Sequence, residues 1–138
     1  MDVLVNSASY RINVDVMENE GILENVREHE GAFRDMLDGL RDIPIVGDVR
    51  GAGYFHAIEL VKDQETNGQF SDEESESLLR GFLSGELFKR GLICRADDRG
   101  DPVIQLSPPL IAGPQQFDEI EAVLRPVLTE AWERVQRG

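Results

Sequence analysis

Between Ile22 and Leu40 the apolar residues recur at three- and four-residue steps. Ile22, Val26, Phe33, Met36, Leu37 and Leu40 fall on one side, and Glu24, Arg27, Glu28, Arg34 and Asp38 on the other. That spacing predicts an amphipathic helix, closed by Gly39 and Pro44. The period then changes to two. Tyr54, His56, Ile58 and Leu60 alternate with Phe55, Ala57, Glu59 and Val61, which predicts a strand, with residues 45–49 as partner strand or lead-in. A polar loop with a turn at Asn67-Gly68 follows.

Ser71 to Arg90 reads as a second long helix. Ser71 and Glu74 have the spacing of a capping box, and Leu78, Leu79, Phe82, Leu83 and Leu87 form its apolar stripe. Lys89 and Arg90 occupy the last turn and Gly91 supplies the C-cap. The runs "LICR" and "VIQL" then predict two short strands joined by "ADDRGD" as a hairpin, with Arg95 at the end of the first strand. A closing helix begins near Pro114, its apolar face carried by Phe117, Ile120, Val123, Leu124, Val127, Leu128, Ala131 and Val135. Pro126 removes a backbone donor from that helix, so a kink or break is expected there. Upstream, residues 12–18 carry a short helical pattern ending near Gly21, whereas residues 1–11 show weak periodicity and read as an irregular lead-in. The expected organisation is one domain over 12–138. Its expected class is α+β, a small antiparallel or mixed sheet of three to four strands covered by helices.

Composition narrows the partners. The chain of 138 residues holds 14 Lys+Arg against 27 Asp+Glu, a formal charge of −13. Such a surface repels phosphate backbones and anionic lipid, so neither nucleic acid nor a membrane is expected as a partner. No apolar run reaches the roughly 18 residues that span a bilayer, the start lacks a secretion signal, and the one cysteine, Cys94, excludes an internal disulfide. A cytoplasmic location is expected.

Candidate chemistry is sparse. His29 and His56 have no neighbouring metal-ligand pattern and read as structural. No motif marks a serine as nucleophile. The "GAG" of residues 51–53 precedes a strand, whereas phosphate-binding glycine loops follow one, so a close backbone turn is the better reading. Cys94 reads as a buried inert thiol. Arg95 stands apart: its planar guanidinium, presented beside a turn, suits a carboxylate or phosphate. An internal pair with Asp97, Asp98 or Asp101 is the competing reading.

The stretches "VRGAGYFHAIELVKD" (49–63) and "LFKRGLICRADDRGDPVIQLSPPLI" (87–111), followed by a closing amphipathic helix, together resemble the C-terminal part of class III aminotransferases. "NVDVMENEGILENV" (13–26) is similar to the family's segment just before the small domain. Before Ala8 the chain reads "DVLVN", where members commonly show a Gly-His-Pro element. The resemblance implies the C-terminal small domain of a fold-type I pyridoxal-phosphate enzyme, present in truncated form. It also implies that Arg95 pairs with the carboxylate of an amino acid or a keto acid such as pyruvate in the complete enzyme.

The family's Schiff-base lysine motif lies upstream of anything in this chain, whose only lysines, Lys62 and Lys89, do not match it. Pyridoxal phosphate is thus implied for the parent family, none is expected to bind this chain alone, and the chain alone is expected to be inactive. The alternative is a non-catalytic carboxylate-binding or protein-interaction module, self-associating or docking to a large-domain chain as one subunit of a split aminotransferase.

Overall fold

The computed structural model describes residues 2–97 and 102–138, with side chains from Arg11 onward. Two helices open the chain, α1 (Asp2–Asn19) and α2 (Ile22–Gly39), the second continued by a 3-10 turn over Leu40–Asp42. A β-hairpin follows, β1 (Val46–Ala52) and β2 (Phe55–Leu60). Next comes one long helix in three parts: α3 (Asp72–Leu78), a π-helical turn (Leu79–Leu83) and α4 (Ser84–Lys89). The short strands β3 (Arg95–Asp97) and β4 (Val103–Leu106) precede the closing helix α5 (Pro114–Arg137).

The sheet has the order β1-β2-β4-β3 and every pairing is antiparallel. The class is therefore α+β, as the pattern predicted, with four strands and no parallel pair among the described residues. Because β4 lies between β2 and β3, the long helix connects two parallel but non-adjacent strands, a split β-α-β unit.

Register decides which residues share a face, because alternate side chains point to opposite sides. One row across the sheet runs Val49, Ile58, Ile104, Ala96, and the next runs Arg50, Ala57, Gln105, Arg95. The first row faces the helices. Val49, Ile58 and Ile104 are buried with Phe33 and Leu37 of α2, Leu79, Leu83 and Leu87 of the long helix, and Phe117, Leu124 and Leu128 of α5, in one continuous core. The second row lies on the uncovered face, where Arg50 and Arg95 are exposed and Ala57 and Gln105 half-buried.

Local chemistry accounts for the element ends. The Ser71 hydroxyl accepts from the Glu74 N–H at 3.2 Å, while the Glu74 carboxylate accepts from the Ser71 N–H at 2.9 Å, closing the capping box that the spacing predicts. At the other end Gly91 takes φ 85°, and the Leu92 N–H reaches the Leu87 carbonyl at 2.9 Å. That is a Schellman stop, which a residue with a Cβ makes only under strain.

Three expectations need correction. Of the expected irregular lead-in over 1–11, the described residues 2–11 are helical, since α1 starts at Asp2; no Gly or Pro interrupts the chain before Gly21, so nothing breaks the helix there. Arg95 begins β3 rather than ending a strand, because residues 92–94 make no ladder. Finally, α5 runs through Pro126 without a break. Val127, Leu128 and Ala131, just beyond the proline, are fully buried, and Arg125 on the outer side forks onto Asp42 with two 2.9 Å bonds. This burial and anchoring outweigh the one missing backbone bond.

Candidate functional site

The uncovered face of the sheet is the part of the molecule where charged and polar groups converge without being needed for the core. Arg95 is the first residue of β3, and its Cα partner across the ladder is Gln105 of β4. Directly opposed residues in an antiparallel pair hold their Cβ atoms about 5 Å apart. Beyond Gln105 the same row continues to Ala57 and then to Arg50 at the far edge. Arg50 is committed, with Glu59 at 3.3 Å and Asp48 at 4.0 Å. Phe55 stands on this face near the hairpin turn, 61% exposed. Of the acids proposed as internal partners of Arg95, Asp98 and Asp101 lie outside the described residues, as does the side chain of Asp97.

The end of the sheet where β3 starts and β4 stops opens into a cleft of about 320 Å³. Leu92, Ile93, Ser107, Pro108, Gln116 and Ile120 contribute to its lining, and Arg95 does not. Its Ser107–Pro109 wall leads into a segment fixed from below. The Asn25 carboxamide donates to the carbonyls of Leu110 at 2.8 Å and Ala112 at 3.0 Å, and the Tyr54 hydroxyl donates to Ala112 at 2.7 Å. His29 Nδ1 lies 3.0 Å from the Asn25 side-chain oxygen, one helical turn on. So the loop after β4 is tied to α2 and to the β1–β2 hairpin by three hydrogen bonds. Sequence reasoning missed Asn25 as a clamp; its only local signal is the four-residue spacing to His29. A second cleft of about 430 Å³ separates α3 from the end of α5, with Arg134 standing 4.1 Å over the Phe82 ring.

The remaining candidates behave as core or surface groups. His56 is buried, its Nε2 lies 3.1 Å from the Gly53 carbonyl, and Nδ1 has no hydrogen-bond partner. Burial pushes its pKa below the ordinary value, so the ring is neutral near pH 7. A Cβ on Gly51 (φ 146°) would come within 2.8 Å of that Nδ1 and 2.1 Å of the Phe55 carbonyl, which explains the first glycine of "GAG" as a close-approach position. Burial raises the Cys94 thiol to about 11, leaving it protonated and unreactive. Lys62 pairs with Glu74, and Lys89 lies 3.7 Å from Glu86; both ammonium groups are on the surface, and neither lysine lines either cleft. No group of three or more His, Cys, Asp or Glu among the described residues could hold a metal ion. Among the same residues no helix is long and apolar enough to cross a membrane.

Residues 4–128 match the family model "Aminotransferase class-III", and the chain belongs to that family. A probable aminotransferase of Mycobacterium tuberculosis is 52% identical over 126 residues, covering 91% of this chain and 27% of the relative. The putrescine–pyruvate aminotransferase of Pseudomonas aeruginosa is 35% identical over 119 residues, 86% of this chain and 25% of the relative. Among solved structures, the ω-transferase of Vibrio fluvialis JS17 superposes with a TM-score of 0.76 at 31% identity, over 89% of this chain and 28% of that one. The chain thus spans about a quarter of the length of the relatives it matches. Pyridoxal phosphate is the cofactor of the family, whose members act on amino and keto acids.

Proposed function

We propose that this chain is the C-terminal small-domain portion of a class III aminotransferase, that residues 12–138 form its single compact unit, and that Arg95 presents a guanidinium to a substrate carboxylate. The observation that carries this reading is the position of Arg95: exposed, first in its strand, on the face the helices leave open. A guanidinium there can engage both carboxylate oxygens at once, which fixes the orientation of an amino or keto acid. The relative that acts on pyruvate makes a small keto acid a suitable probe.

Pyridoxal phosphate does not fit the residues present. Its chemistry requires a lysine able to form a Schiff base, ordinarily an amine desolvated or pressed by a neighbouring cation until it loses its proton. Lys62 and Lys89 are instead on the surface, each beside a glutamate, and neither lines a cleft that would desolvate its amine. No step of amino-group transfer is therefore assigned to this chain by itself; the lysine and the cofactor cradle belong to sequence beyond these 138 residues or to a partner chain.

Incubation with pyridoxal phosphate followed by borohydride reduction tests this. Mass spectrometry is expected to find no pyridoxyl adduct at Lys62 or Lys89, and a stoichiometric, reducible adduct at either would overturn the assignment. Carboxylate binding by this one wall is expected to be weak, at roughly millimolar dissociation constants, because a ligand site normally encloses most of its ligand.

A second reading draws on the exposed apolar residues of the opening helices, Ile12 at 63% and Leu23 at 49%. It makes the chain a docking module for a large-domain chain or a second copy. Light scattering discriminates: a monomer throughout the micromolar range would remove self-association.

A further inference from the structure

We propose that Gln105 is a second ligand-contact residue, its carboxamide donating a hydrogen bond to the same carboxylate that Arg95 engages. The inference rests on the reading of Arg95 given above and extends it to a residue of the neighbouring strand.

The register is the first ground. Arg95 and Gln105 are direct partners across the β3–β4 ladder, so their side chains leave the same face about 5 Å apart at Cβ. A carboxylate held by the guanidinium has lone pairs left over, and a neutral carboxamide at that separation offers two N–H donors to them.

The surroundings are the second ground. On the other side of Gln105 stands Ala57 of β2, whose side chain is a single methyl group. Gln105 is half-buried among these neighbours, which restricts its rotamers, and none of the hydrogen bonds among the described residues engages its carboxamide.

Charge is the third ground. The other cation of the row, Arg50, lies 3.3 Å from Glu59 and 4.0 Å from Asp48, so the β1 side already carries its own carboxylates. Selectivity follows, because an amine without a carboxylate gains nothing from either group, and glutamate at position 105 would set a like charge against the ligand.

The test is a titration of the isotope-labelled chain with pyruvate, read by nuclear magnetic resonance at the Gln105 side-chain amide and at Arg95 Nε–H. Both signals are expected to shift along one saturation curve, and isobutylamine to move neither. Gln105→Leu is expected to weaken binding about fivefold, the contribution of one hydrogen bond of ordinary net strength, while the Arg95 signal still responds. Gln105→Glu is expected to abolish the response. If Arg95 shifts while the Gln105 amide stays silent and Gln105→Leu binds as well as the parent, the inference about Gln105 falls and the reading of Arg95 stands. If neither signal moves at saturating pyruvate, both fall. Should a variant fail to fold, the paired shifts in the unaltered chain decide the question.

Discussion

Two faces of one sheet, built from alternate residues of the same four strands, have opposite characters. Towards the helices, Val49, Ile58 and Ile104 are almost wholly excluded from water, in one core with α2, the long helix and α5. Away from the helices, the adjacent positions Arg50, Ala57, Gln105 and Arg95 are exposed or half-buried and polar at three places out of four. A one-residue step along each strand separates a row that holds the molecule together from a row that is free to carry chemistry. The comparison teaches where selection for stability ends: the open row can change its chemistry without disturbing the core.

The sharpest way to break this contrast is to exchange the rows' tolerance. Ile58→Ala removes a fully buried side chain and should cost about 2–5 kcal/mol in the unfolding free energy, read from denaturant midpoints. Ala57→Ser, its immediate neighbour on the open face, should shift stability by no more than about 0.5 kcal/mol. Equal losses at both positions would erase the distinction between the faces.

A smaller effect is expected where the core is joined to the cleft. Asn25→Ala deletes the two bonds to the Leu110 and Ala112 carbonyls and should cost about 1–2 kcal/mol. It should also speed amide hydrogen exchange in residues 110–113 well beyond the change elsewhere, since of the three side-chain bonds that tie the segment to α2 and the hairpin only that of Tyr54 would remain. A uniform acceleration would mean that Asn25 acts only through global stability.

The smallest effect concerns pH. Burial, partly opposed by the bond to the Gly53 carbonyl, holds the folded His56 pKa below its ordinary value of about 6.5; Arg34 pushes it further down, while Asp38 and Glu30 push it up. In the window between the folded value and about 6.5, the unfolded chain binds more protons than the folded one. The stabilisation from a neutral His56 is complete above that window and is lost as the pH falls through it. Comparing the pH dependence of unfolding for the parent and His56→Leu should show a shallower acid limb in the variant. Parallel curves would mean that the buried ring titrates normally.

Much of the helix-facing row was legible beforehand. The apolar stripes of α2, α3–α4 and α5 and the alternation of β2 are local patterns, and burial follows them residue by residue, from Phe33 and Leu37 to Leu124 and Leu128. The capping box at Ser71 was legible for the same reason, being a contact three residues long. The open row was not. That Gln105 faces Arg95, and that Ala57 faces Gln105, depends on pairings across ten and forty-eight residues of chain, which no periodicity encodes. The start of β3 was misplaced because "LIC", just before Arg95, is apolar throughout and carries no alternation to fix its register. Pro126 misled for a different reason: local propensity argues for a break, and tertiary burial on both sides of the ring overrides it.

The most direct measurement sets the two arginines of the open row against each other. Pyruvate binding would be compared in the parent chain, Arg95→Leu and Arg50→Leu, with melting curves confirming that all three are folded. The account predicts that Arg95→Leu abolishes binding and that Arg50→Leu, whose guanidinium is occupied by Glu59 and Asp48, leaves it within about twofold. Binding that survives the loss of Arg95, or that fails equally with Arg50, would contradict it.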